Sequence, residues 1–210
     1  MIAKKGKNFD IILITAEYHD DHPLSPSGII SRVLESKGYK IGIIEKPVTK
    51  EDYLKLGTPK LFFGVTSGSI DSMLHNYTPL KKKRSKDPYS NISLMPDRTL
   101  IVYCNKIREY FKSALIVIGG IEASMRRFAH YDYWDNKVRK SIIIDANADL
   151  LLYGMGENSI IEVAEALDNG LEIKYLTYLD GTVFKTKNLD DAHEPVMLTS
   201  YEEICNDKKD

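Results

Sequence analysis

The sequence predicts an α/β fold built on a doubly wound, open and mainly parallel sheet. The first indication is a set of short, continuous apolar runs, which are typical of strands buried on both faces. The second is that amphipathic helical segments separate these runs, so that strands and helices alternate along the chain. We therefore expect right-handed crossovers between parallel strands. The runs are Ile11–Ile14, Ile41–Ile44, Leu61–Val65, Leu115–Ile118 and Leu150–Tyr153.

The predicted helices have recognisable ends. Ser25 followed by Pro26 is typical of an N-cap with proline in the first turn. Thr49 and Asp52 stand at the spacing of a capping box. For the strands that these helices connect we favour the flavodoxin-like order 2-1-3-4-5. The helices are expected over 25–38, 49–57, about 97–111 and about 157–168.

The segment Tyr77–Pro96 interrupts this alternation. It is polar, it contains prolines, and it carries the basic run Lys81–Lys86. We interpret it as a long, mobile insertion. The basic run also suits contact with nucleic-acid phosphates, although such a run is more often a solvated loop.

A C-terminal hairpin is predicted after the last helix. Asp180 and Gly181 form a strong turn signal between the apolar segments Tyr175–Leu179 and Thr182–Thr186. Beyond Leu189 the periodicity fades, as it does in a linker. We therefore divide the chain into a Rossmann-like α/β domain over 1–170, and a hairpin with a linker over 171–210.

The composition is that of an ordinary soluble protein. The 210 residues include 43% hydrophobic and 28% charged residues, and the net charge is −1. No apolar stretch approaches the roughly 20 residues needed to cross a bilayer. The two cysteines, Cys104 and Cys205, lie far apart, which fits a reducing compartment and a cytoplasmic location. This pair cannot provide a cysteine-only metal cluster, and the near-zero charge gives no support for an obligate nucleic-acid partner.

Small and polar residues follow three of the predicted strands. In open α/β sheets, ligands bind beyond the carboxyl ends of the strands, where glycine allows a close approach of the backbone. Any one such loop is most simply a tight turn, but three loops on one edge predict a shared face that binds a ligand or another domain. The candidate residues are Thr66, Ser67, Gly68, Gly119, Gly120, Glu122, Ser124, Gly154, Gly156 and Glu157.

Two further clusters could carry chemistry. Glu17–Pro23 combines histidines with carboxylates, and His22 is a weak candidate for a metal ligand; a solvated polar loop is the simpler interpretation. Phe128–Trp134 is the densest aromatic segment, in which His130 could titrate and Tyr131 could stack on a planar ligand. A packed surface loop or a contact with another domain explains the aromatic segment equally well.

Three segments together resemble the N-terminal region of YgiQ-type radical SAM proteins. They are DHPLSPSGIISRVLESKGYKIGII (Asp21–Ile44), LFFGVTSGSIDSMLHNYTP (Leu61–Pro79) and IGGIEASMRRFAHYDYWDNKVRKSIIIDANADLLLYGMGE (Ile118–Glu157). The resemblance covers nearly the whole chain, and its long central motif is not a general α/β pattern.

The resemblance implies a larger protein in which a radical SAM barrel follows this region. A CxxxCxxC motif there would hold a [4Fe–4S] cluster, whose open iron binds S-adenosylmethionine. Neither cysteine of this chain belongs to such a motif, so no catalytic residue is assigned. The implied partner is that C-terminal domain, on which this domain would dock and shape the entrance for a substrate that the sequence does not specify.

A wider similarity is to the cobalamin-binding domains that precede some radical SAM barrels. Their layout also pairs Gly-Gly after the fourth strand with Gly-x-Gly-Glu after the fifth. Of their cobalt-ligating D-x-H-x-x-G motif, Asp20 and His22 are present, while Ser25 replaces the glycine. The sequence therefore does not decide whether this domain binds cobalamin. Besides an accessory domain of a radical SAM enzyme, two other functions are consistent with the sequence. One is a free-standing module that binds a corrinoid or a nucleotide, and the other is a domain of an RNA-modification protein.

Overall fold

A computed structural model describes residues 8–18, 25–85, 95–192 and 194–206. Its centre is a 6-stranded sheet in the order β2-β1-β3-β4-β7-β8. All neighbouring strands are parallel except the last pair, β7 and β8. The predicted order of the parallel strands is confirmed. The strands of this sheet are β1 (Ile11–Thr15), β2 (Ile41–Glu45), β3 (Phe62–Thr66), β4 (Ile116–Ile118), β7 (Leu150–Leu152) and β8 (Thr182–Phe184).

Helices cover both faces of the sheet, which confirms the doubly wound class. Residues of α1 and α7 pack with one set of strand side chains, and residues of α2, α4 and α6 pack with the opposite set. The predicted capping box at Thr49 and Asp52 is present, and Gly38 has the expected positive φ of 92°. The helices are α1 (Pro26–Ser36), α2 (Lys50–Leu54), α3 (Ser72–Asn76), α4 (Thr99–Tyr110), α5 (Ile121–Met125), α6 (Ile142–Asp145), α7 (Glu157–Asp168) and α8 (Tyr201–Asn206).

The prediction of a C-terminal hairpin is wrong in its first arm. Ile173–Tyr178 forms a 3-10 helix instead of a strand. Leu176, within this segment, and Leu179, just after it, are both buried and pack in the core cluster that includes α7. The turn at Gly181 then leads into β8, which pairs with β7. The segment that follows residue 170 therefore contributes a strand to the central sheet.

The aromatic segment forms a small ribbon. β5 (His130–Asp132) and β6 (Lys137–Arg139) pair antiparallel and form a second, 2-stranded sheet. The Asp132 carboxylate is buried beneath the ribbon and accepts hydrogen bonds from Arg98 and Arg139. Since Arg98 immediately precedes α4, this ion cluster fastens the ribbon to the main fold.

The described part of the predicted insertion is ordered by specific contacts. The Arg84 amide donates to the Asn76 carbonyl at 2.8 Å, and Tyr77 bridges to Lys83. The Lys81 ammonium lies 4.4 Å from the ring centroid of Tyr133. Part of the basic run thus packs on the ribbon, while residues 86–94 lie outside the described residues.

No helix in the described part of the chain is long and apolar enough to cross a membrane.

Candidate functional site

The carboxyl ends of β1, β3, β4 and β7 open onto a cavity of about 510 Å³. Its floor is a row of residues on one face of the sheet, in which Gly64 is aligned with Leu13 on one side and with Val117 on the other. Ile30 of α1 and Ile160 of α7 form opposite walls. The cavity is therefore a slot that starts at the strand ends and continues between the sheet and two helices, within the usual range of roughly 300–1,000 Å³ for small-molecule sites.

Gly64 makes room for its neighbour Leu13 in the floor of the slot. A Cβ atom at position 64 would lie 2.7 Å from Cδ2 of Leu13, so the Leu13 side chain occupies the space that a side chain there would need. Glycine inside a strand otherwise weakens the strand, and it often marks a place where a ligand approaches. Gly64 is not among the candidate residues named from the sequence. The feature that could have identified it is the presence of a glycine within the apolar run of β3.

Glycines also bring the strand-end loops close together. Gly68 has φ of 103°, and a Cβ there would lie 2.2 Å from Cδ of Glu17. The Glu17 carboxylate instead accepts hydrogen bonds from the amide and hydroxyl of Ser69, at 2.8 Å and 2.7 Å. At Gly120, with φ of 86°, a Cβ would lie 2.5 Å from Oγ1 of Thr66. Glu17 after β1 and the loops after β3 and β4 therefore pack closely together at the rim.

The lining of the slot is predominantly apolar. Among its described residues the only ionisable side chain is Glu157, at the first position of α7. Hydroxyl groups are contributed by Ser27, Thr66, Ser69 and Ser124. Such a lining suits a flat, uncharged group with a few hydrogen-bonding atoms.

Most of the predicted site residues meet at this cavity. Two of the others, Ser67 and Glu122, are buried and bind other parts of the chain. The Ser67 hydroxyl donates to the Ile70 carbonyl at 2.8 Å and so closes its own loop. The candidates that line the cavity are Thr66, Gly68, Gly119, Gly120, Ser124, Gly154, Gly156 and Glu157.

Glu122 supports the site from behind. Its carboxylate accepts hydrogen bonds from the amides of Ser72 and Leu100, at 3.0 Å and 3.2 Å, and so holds the first turns of α3 and α4. Burial raises the pKa of Glu122, while these hydrogen bonds favour its ionised form. The nearby Arg126 pairs with the buried Asp71, with Nη2 donating to Oδ1 at 3.1 Å.

His130 and Tyr131 lie on the ribbon and do not line the cavity. His130 Nδ1 lies 3.1 Å from the Phe128 carbonyl, and burial lowers the pKa of this imidazole. Burial therefore favours the neutral form of this side chain relative to a solvent-exposed histidine. The exposed Tyr131 donates its hydroxyl hydrogen to Asn136 within the ribbon.

The metal candidate His22 lies outside the described residues, as does Asp20. Within the part of the chain that is described, no three His, Cys, Asp or Glu side chains are grouped to hold a metal ion. Both Cys104 and Cys205 are free thiols.

The sequence matches the family described as radical SAM N-terminal over residues 1–210. The chain belongs to this family. A UPF0313 protein of Clostridium perfringens is 50% identical over 215 residues, which include 100% of this chain and 32% of that protein. A UPF0313 protein of Clostridium botulinum is 48% identical over 213 residues, with 98% of this chain and 33% of that protein covered. The chain thus spans about a third of the length of these relatives.

Solved structures share the fold. The radical S-adenosylmethionine methyltransferase TsrM from Kitasatospora setae, with tryptophan substrate and a SAM analog bound, aligns with a TM-score of 0.55 and 18% identity. The alignment covers 87% of this chain and 29% of TsrM. A second structure of TsrM, with cobalamin and a [4Fe-4S] cluster bound, aligns with a TM-score of 0.55 and 17% identity, over 85% of this chain and 29% of that chain.

Proposed function

We propose that this domain binds a corrinoid, cobalamin, at the carboxyl ends of its strands and presents it to the radical SAM domain of the same protein. The observation that carries the proposal is the apolar slot beneath the strand ends. Gly64 lets Leu13 lie across the floor of the slot, and the glycines at 68 and 120 let its rim pack closely. Cobalamin supplies organometallic and redox chemistry that protein side chains lack.

The shape of the slot fits one part of cobalamin well. A cavity of about 510 Å³ is too small for the whole cofactor, but it accommodates a flat, uncharged base such as the benzimidazole of the cofactor's nucleotide tail. Leu13, Val117 and Ile160 would contact the faces of such a base, while the Thr66 hydroxyl would offer a hydrogen bond near the rim. The corrin ring would then lie outside, above the strand ends.

The same lining disfavours the alternative ligand, a nucleoside di- or triphosphate. A polyphosphate carries several negative charges and is normally held by basic side chains, a metal ion or a glycine-rich phosphate loop. The described lining contains no Lys or Arg, and its single ionisable residue, Glu157, is acidic. A corrinoid carries a single phosphodiester in its tail, so its binding requires far less positive charge around the site.

The proposal is tested by titrating the full-length protein that carries this chain with cyanocobalamin and following heat release by calorimetry. We expect saturable binding of one equivalent in the micromolar range or tighter, accompanied by a change in the cofactor's visible spectrum. Adenosine triphosphate serves as the comparison ligand and should not bind at this site. Absence of cobalamin binding would remove the proposal and leave only a role in docking.

Within the longer protein we propose a YgiQ-type arrangement. The remaining part of the polypeptide would hold the [4Fe–4S] cluster and S-adenosylmethionine, since neither cysteine here is placed to bind a cluster. Large apolar side chains around the mouth of the slot are exposed, as is typical of a surface that another domain covers. They are Ile121, Met125, Phe128 and Met155, with exposures of 43%, 56%, 52% and 85%.

Replacing Met125 with glutamate is expected to weaken this docking. Met125 does not line the slot, so the change should leave cobalamin binding intact while placing a carboxylate in an apolar interface. We expect roughly tenfold faster cleavage between the domains in limited proteolysis of the full-length protein, as follows from a loss of about 1.4 kcal/mol. The matched control is Leu54→Glu on α2, another half-exposed helical position; equal cleavage of both variants would contradict docking at this face.

A further inference from the structure

Two adjacent arginines follow α5, and the structure separates their roles. Arg126 is directed inward and is neutralised by the buried Asp71. Arg127 forms no ion pair with any carboxylate that the structure describes. Arg127 is partly buried, so its guanidinium is held in place by contacts other than an ion pair.

The side chain of Arg127 is fixed in place without a counter-ion. Its guanidinium carbon lies 4.7 Å from the ring centroid of Phe128 and 4.9 Å from that of Tyr153. Its Nη1 donates a hydrogen bond to the Ser124 carbonyl at 2.6 Å. Contact with aromatic rings and one hydrogen bond hold the group in position, while Nε and Nη2 keep donors available for an anion.

The neighbours of Arg127 place it at the rim of the slot. Ser124, whose carbonyl accepts from Arg127, lines the slot, and its hydroxyl accepts a hydrogen bond from the Gly154 amide at 3.1 Å. Tyr153, which Arg127 contacts, directly precedes Gly154, another residue of the lining. The fixed cation therefore stands beside the mouth of a site whose own described lining contains no basic side chain.

We propose that Arg127 binds the phosphodiester of the ligand whose base enters the slot. The inference rests on the proposed function and adds the residue that binds the anionic group of the ligand. A guanidinium presents paired N–H donors that match two oxygens of a phosphate, and fixing it in advance reduces the entropy lost on binding. Arg127 thereby selects corrinoids that carry a complete nucleotide tail.

The test compares Arg127→Gln with Arg32→Gln in the full-length protein, using calorimetry with cyanocobalamin at several salt concentrations. Both variants remove one positive charge, but Arg32 is exposed on α1 and does not line the slot. We expect Arg127→Gln to weaken cyanocobalamin binding about 10- to 100-fold, as is typical for loss of a charge-assisted hydrogen bond. The affinity of this variant should also depend less on salt than that of the wild type.

Each result decides between the two proposals. An Arg127→Gln variant that binds cyanocobalamin as tightly as Arg32→Gln would overturn the role of Arg127 and leave cobalamin binding standing. A wild-type protein that binds no cyanocobalamin would overturn the proposed function and, with it, the role of Arg127.

Circular dichroism and thermal unfolding of both variants check that the fold is retained. The Arg127→Lys variant keeps the charge but loses the paired donors, so its affinity for cyanocobalamin should lie between those of the wild type and Arg127→Gln.

Discussion

Replacing Gly119 with leucine is expected to abolish binding of cobalamin, lowering its affinity by at least about 100-fold. Gly119 lines the slot at the end of β4, and an added Cβ would meet only the Leu152 carbonyl oxygen at 3.5 Å and the Leu152 Cβ at 4.0 Å. The backbone thus accepts a side chain here, while the rest of the leucine would fill the space that the ligand needs. Titration with cyanocobalamin, as for the wild type, measures the effect.

The control for this variant is Gly28→Ala. Gly28 lies on α1 between residues that line the slot, but it does not line the slot itself, and an added Cβ would meet Ser25 at an ordinary 3.6 Å. Alanine should stabilise the helix by about 0.5–1 kcal/mol and leave binding unchanged. A Gly119→Leu protein that folds like the wild type and still binds cobalamin would show that the ligand site lies elsewhere.

The position of the slot could be predicted from the sequence, whereas its depth could not. Continuous apolar runs identify parallel strands, and parallel strands align their carboxyl ends, so residues such as Gly119 and Gly154 are brought to one edge by topology alone. The depth depends on which residues form the floor, and Leu13, Gly64 and Val117 become neighbours only through the register of three strands. A sequence pattern specifies which face a residue occupies, but not which residues are adjacent across three strands.

The errors in the prediction have a common physical origin. Glu122 is a charged residue beside a glycine pair, which suggests a ligand contact; in the fold it binds the amides of Ser72 and Leu100. Its partners are distant in sequence, so its structural role was not visible. The first arm of the predicted hairpin is a 3-10 helix in which Leu176 packs, together with Leu179, against core residues of other elements, and these contacts are likewise not visible in the local pattern.

Replacing Asp132 with alanine is expected to destabilise the domain by about 3 kcal/mol. Only 7% of Asp132 is exposed, and its carboxylate accepts hydrogen bonds from Arg98 at 2.8 Å and Arg139 at 2.6 Å. The amides of Trp134 and Asp135 also donate to it, at 3.0 Å and 3.2 Å. Alanine removes the more buried of the two carboxylates that Arg98 and Arg139 share, and leaves only Asp135 to pair with both guanidinium groups. Chemical denaturation followed by circular dichroism measures the loss.

An exposed ion pair provides the matched control. Lys60 and Asp168 lie 2.5 Å apart, but their side chains are 62% and 40% exposed, so the Asp168→Ala variant should lose less than about 1 kcal/mol. A similar loss in both variants would mean that the ribbon is not fastened through Asp132.

The stability of the wild type should also show the titration of Asp132. Burial opposes its ionisation, but the hydrogen bonds from Arg98, Asp135 and Arg139 outweigh burial and lower its pKa from 3.8 to about 2. The ionised group therefore stabilises the fold fully above about pH 4, and this contribution is lost as the pH falls towards 2. The difference in unfolding free energy between wild type and Asp132→Ala should be constant near neutral pH and shrink between pH 4 and pH 2. A gap that stays constant across that interval would mean that the Asp132 carboxylate is not the group that holds the two arginines.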